Sequence, residues 1–112
     1  MAKLEWNING DFDLLLEHIH RGIIGTSSSA TYEDGSDWRD GDIRVAVRVY
    51  ERYSWIGGNR VSLSVTIAGN RSNLFVSAVT SGGSQAMFFK INRFGEQSFL
   101  GKLEDLVSSY SN

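Results

Sequence analysis

His18 and His20 are the only histidines in the chain, and they stand two apart in a segment that reads as helix. At about 100° per residue they point roughly 200° apart, so they cannot converge on one metal ion as an i, i+4 pair does. Glu17 can reach His20 or Arg21 along one helical face. An imidazole can move a proton near neutral pH, yet no nucleophile or carboxylate partner stands out beside either ring. Surface histidines near a helix C-terminus, where positive charge is favoured, are the simpler reading. Glu33, Asp34, Asp37, Asp40 and Asp42 supply oxygen ligands of the type calcium and magnesium prefer. Their order departs from an EF-hand loop, which alternates its acids around a glycine and ends on a distal glutamate. A solvated loop is expected there. No catalytic, cofactor-binding or metal-ligating set is assigned, and no cofactor is expected.

Arginines and aromatics carry the remaining leads. Arg44, Arg48 and Arg52 fall on one face of a strand pattern, with Tyr50 among them. If that face meets solvent, it interleaves guanidinium groups with a phenol ring, as phosphate or single-strand recognition requires. A half-exposed antiparallel sheet shows the same residues merely to stay hydrated. The net charge of −2 argues against nucleic acid as the partner. Trp55 and Ile56 sit at a hairpin tip, and Trp38 sits in the acidic stretch. Large apolar side chains at turns either fold back over a sheet edge or form an exposed patch of the kind used in dimers. Gly57-Gly58 and Gly82-Gly83 lack the spacing of a phosphate-binding loop and read as turns.

These residues need elements to hold them. The 112 residues allow one domain, 1–112, and 41% of them are hydrophobic, enough for a core without staples. Cysteine and proline are both absent, which excludes thiolate chemistry and leaves Gly, Asn, Asp and Ser to make the turns. No apolar leader opens the chain and no run of 18 apolar residues occurs, so a cytoplasmic protein with no membrane span is expected. Leu4, Trp6 and Ile8 alternate with polar residues as a strand. Asn9 or Asp11 can cap a helix whose stripe is Phe12, Leu15, Leu16, Ile19 and Ile23, with Gly22 and Gly25 as stop signals. Ala30 to Glu33 reads as a short strand before the acidic loop.

Ile43, Val45, Val47 and Val49 alternate with Arg44, Ala46, Arg48 and Tyr50, and Val61, Leu63, Val65 and Ile67 alternate with Arg60, Ser62, Ser64 and Thr66. Both apolar sets are odd-numbered. Opposed residues of an antiparallel pair share a face, so one common apolar face demands an odd loop or a bulge between these strands. Leu74 to Thr80 is apolar on both faces, as in a doubly covered strand. Gln85 to Ile91 reads as another strand, and Phe99, Leu103, Leu106, Val107 and Tyr110 mark a C-terminal amphipathic helix. The expected fold is α+β: a twisted antiparallel β-sheet with two helices packed on one face, in the order β-α-β-β-β-β-β-α.

That order resembles a shortened helix-grip arrangement, with likeness to the TATA-binding-protein-like fold, in which a curved sheet wraps a C-terminal helix. Leu4-Glu5-Trp6, Phe12-Asp13-Leu14-Leu15 and Phe99-Leu100-Gly101-Lys102-Leu103 give the whole chain a resemblance to a family of uncharacterised small bacterial proteins. The resemblance implies a fold and no activity. The expected function is a non-enzymatic binding or protein-interaction module, self-associating or joining another protein through Trp38, Trp55, Ile56 or the Arg44, Arg48, Tyr50 and Arg52 face. The competing expectation is a carrier that holds a small apolar ligand among Phe75, Met87, Phe89, Phe99 and Leu103.

Overall fold

A computed structural model describes residues 2–26, 30–54 and 59–82. Strand β1 (Ala2–Asn9) leads into helix α1 (Phe12–Thr26), followed by β2 (Ala30–Asp40), β3 (Ile43–Ser54), β4 (Asn59–Asn70) and β5 (Asn73–Gly82). The strands form one antiparallel sheet in the order β1-β5-β4-β3-β2. The two ends of α1 therefore connect the two edge strands, and the helix crosses one face of the sheet. The strand expected over 85–91 and the second helix expected over 99–110 lie outside the described residues.

Asp11 starts α1. Its Oδ1 accepts the Leu14 N–H at 2.9 Å, which satisfies one of the donors that every helix start leaves open, and its carbonyl accepts the Leu15 N–H at 3.0 Å as the first bond of the helix. Phe12, Leu15, Ile19 and Ile23 then form the buried stripe, each within 6% of full burial. The helix runs through Gly22 and Gly25 to Thr26 rather than stopping at either. A helical glycine costs about 1 kcal/mol, less than burial of one large apolar side chain returns, so packing of Ile23 carries the helix past Gly22.

Beneath α1 lie Val61, Leu63, Val65 and Ile67 of β4 with Leu74, Val76 and Ala78 of β5, all nearly or fully buried. Leu4, Trp6 and Ile8 of β1 pack against the margin of this core. At Gly69 the backbone comes close to α1: a Cβ there would lie 2.8 Å from Leu74 and 2.9 Å from the Phe12 ring. The β2–β3 turn is closed by Gly41 at φ +60°, and the β4–β5 turn has Arg71 at φ +58°.

The structure overturns two expectations about this sheet. The acidic stretch is no loop, because β2 extends to Asp40 and pairs with β3 along its length. A bulge at Glu33 interrupts that pairing between Tyr32 and Asp34. It leaves Tyr32 on the α1 side and Trp38 on the other, although both are even-numbered. The β3–β4 pair also differs from its expected register. Val47 lies opposite Thr66, Val49 opposite Ser64 and Ser54 opposite Asn59, so opposed numbers add to an odd total and the closed loop, 55–58, is even. The odd residues of β4 face α1, and the odd residues of β3 face away from it.

Candidate functional site

The register turns Arg44, Arg48, Tyr50 and Arg52 toward the α1 side of the sheet, with Ala46 between them. They are not a solvated outer face. The Arg44 guanidinium lies 4.1 Å from the centre of the Phe12 ring and binds Asp13 at 2.9 Å. That hydrogen bond is the main reason the Asp13 carboxyl is held below its ordinary value and Arg44 is raised above its own. Arg48 grips both carboxylate oxygens of Asp37, at 3.0 and 3.2 Å, and donates to the Val47 carbonyl at 2.9 Å. The aliphatic stems of Arg44 and Arg48 line the core margin while their charged ends reach Asp13 and Asp37 at its edge.

Tyr50 is fully buried. Its hydroxyl lies 2.8 Å from His20 Nδ1, with the Tyr32 ring packed edge-on against the same imidazole. Burial pushes the Tyr50 phenol up to about 12, so it is protonated at neutral pH. A protonated phenol donates to Nδ1 when the imidazole carries its proton on Nε2. Sequence reasoning placed His20 on the surface; its tertiary contact with Tyr50, 30 residues on, left no signal in local spacing.

A cleft of about 500 Å³ opens where α1 begins, lined by Asp11, Asp13, Asp42, Arg39, Arg44 and Arg71 among others. Arg71 binds Asp42 at 3.0 Å, as Arg44 binds Asp13. Three arginines thus share the cleft with three aspartates, one of which also occupies a helix-start amide, and the charge is matched from within. Glu33, Asp34, Asp37, Asp40 and Asp42 do not converge: along β2, Asp37 faces the α1 side while Asp34 and Asp40 face the other. Among the described residues no group of three or more acids and histidines could hold a metal ion. No described helix is long and apolar enough to cross a membrane.

The surface opposite α1 is the third place, and sequence reasoning did not anticipate it. Val45, Val47 and Val49 lie on it, flanked by Ser64, Thr66 and Ala68 of β4, Phe75 and Val79 of β5, and Trp38 of β2. Among the described elements none packs on this face. Trp38 is 57% exposed and Ile43 45% exposed, while the valines and Phe75 are half-buried. Lys3, Glu5 and Asn7 of β1 form one polar margin; Asp34, Ser36 and Asp40 of β2 form the other. Of the residues expected at an interface, Trp38 is therefore at this surface, and Trp55 and Ile56 lie outside the described residues. Of the expected ligand-pocket set, Phe75 is on this face; Met87, Phe89, Phe99 and Leu103 lie outside the described residues.

DUF6054, a family of unknown function, matches residues 1–111. The chain belongs to that family. No curated protein and no solved structure matches the DUF6054 chain, so neither comparison adds an activity to its geometry.

Proposed function

We propose that this DUF6054 protein is a small cytoplasmic, non-enzymatic binding module that works through the sheet face opposite α1. One observation carries the reading: the odd-total register of β3 and β4 sends Val45, Val47 and Val49 away from the core, beside an exposed Trp38. A half-covered sheet ordinarily turns charged and polar side chains outward. Here three valines and a phenylalanine occupy the outer face of central strands. Contiguous apolar surface with a polar margin is the form binding surfaces take. The Arg/Asp cleft is less suited, because its cations are already matched by acids on its own walls.

The test is fluorescence of an apolar naphthalene-sulfonate dye at submicromolar protein, comparing the full chain with Val47→Lys and with Glu17→Lys on the exposed side of α1. The expected result is strong enhancement by the parent chain and by Glu17→Lys, and loss of most of it in Val47→Lys, with all three folded by circular dichroism. No enhancement by the folded parent, or equal enhancement by Val47→Lys, refutes the reading.

A further inference from the structure

We infer that the partner of the sheet face opposite α1 is a second copy of this chain, docked about a two-fold axis that runs along β4, parallel to the strands. The inference rests on the reading that this face is a binding surface, and it names the occupant from the register. Three rows cross the sheet. Trp38, Val45, Ala68, Phe75 and Asn7 are in line; so are Ser36, Val47, Thr66, Ser77 and Glu5; so are Asp34, Val49, Ser64, Val79 and Lys3.

Rotation about an axis along β4 keeps each row at its level and exchanges the strands on either side. β3 then lies over the second copy's β5, and β2 over its β1. Val45 meets the partner's Phe75 and Val49 meets the partner's Val79. Small side chains, Ser64, Thr66 and Ala68, meet themselves on the axis, where two copies of a large residue would collide. At the margins Lys3 stands across from the partner's Asp34, an acid whose Oδ1 is already oriented by the Gly35 N–H at 2.8 Å. Aligned sheets stack about 10 Å apart and rotate by about 30°, an offset at the edges that a long lysine side chain absorbs.

The same face docked about an axis across the strands, centred on the middle row, lacks this match. Glu5 would meet the partner's Glu5, and no acid would meet Lys3. The axis along β4 gives Val45, Val49 and Lys3 matching partners, while Val47 meets the partner's Ser77 and Trp38 the partner's Asn7; matches of apolar and charged positions under a single operator are what an isologous dimer uses.

Sedimentation of the full chain from micromolar to millimolar concentration tests the arrangement. The parent should form dimers as concentration rises. Thr66→Arg, which sets two like charges against each other on the axis, should be monomeric throughout. Lys3→Glu and Asp34→Lys should each weaken association by about tenfold, since each dimer contains two such pairs. The double variant, with the charges exchanged, should recover to within about threefold of the parent. If Thr66→Arg does not fold, the charge exchange decides alone.

A parent chain that remains monomeric overturns the second copy as occupant. If that monomer still binds the apolar dye at the Val47 face, the binding-surface reading stands without it. If it does not, both fall. A dimer whose strength is unchanged by Thr66→Arg and by the charge variants forms elsewhere, and it too overturns the inference.

Discussion

Replacing Tyr50 by phenylalanine should change stability in opposite directions at neutral and at alkaline pH. The ring is fully buried and its hydroxyl sits 2.8 Å from His20 Nδ1. Near pH 7 the variant loses that hydrogen bond and keeps the packing of the ring, a loss of about 1 kcal/mol. At high pH a second effect acts on the parent alone. The phenol ionises near 10 when unfolded and at about 12 when folded, because burial disfavours the phenolate. A folded value above the unfolded one means that the contribution is fully present below pH 10 and is lost as the pH rises through 12. The lost stability is about 1.4 kcal/mol at pH 11 and approaches about 2.7 kcal/mol above pH 12. Phenylalanine has nothing to ionise. The difference between parent and variant should therefore fall from about 1 kcal/mol at pH 7 to zero between pH 10 and 11, and at pH 11 it should be reversed by about 0.4 kcal/mol. Urea unfolding of both proteins at pH 7, 9, 10 and 11 measures it, and the other tyrosines cancel because both chains carry them. A difference that stays constant from pH 7 to 11 would refute the claim that Tyr50 is held protonated by burial.

Leu15 is fully buried on α1, so Leu15→Ala should cost about 3 kcal/mol in urea unfolding, whereas Leu14→Ala, at a site 59% exposed, should change stability by less than about 0.5 kcal/mol. Gly69→Ala would bring a methyl group within 2.8 Å of Leu74 and 2.9 Å of Phe12; a loss of about 1–3 kcal/mol is expected, and an unchanged thermal midpoint would show that α1 can lift away freely. Asp13 should titrate below an ordinary aspartate by carboxyl-carbon NMR and return upward in Arg44→Gln. Since the folded value is the depressed one, the ion pair stabilises the fold above the ordinary carboxylate value. That advantage over Arg44→Gln should vanish as the pH falls through the folded value.

Much of the fold was legible along the chain because its signals are local. Alternation in Leu4, Trp6 and Ile8, the stripe of Phe12, Leu15, Ile19 and Ile23, and the pattern of β4 each record a burial period inside one element, and the alternation of β3 marks it as a strand. Where packing competes with a local preference, reading along the chain is less secure: Gly22 and Gly25 favour a helix end, yet the contacts of Ile23 carry α1 past the first. The acids of β2 likewise suggest a solvated loop. Edge pairing to β3, together with the Arg48–Asp37 contact, makes a strand of them, and an edge strand tolerates charge because one of its sides meets water.

The candidate surface was hidden for a different reason. Alternation in a strand says that two faces differ; it says nothing of which face meets the helix. That choice depends on how many residues close the loop between two strands, and a change of one residue turns every side chain over. From the sequence alone come the elements, their order and the two-sided character of each strand. Only the tertiary structure decided that β3 turns its arginines toward α1 and its valines away. It could do so because Arg44 and Arg48 reach acids at the core margin, which makes their face compatible with a helix and leaves the valines on the opposite face.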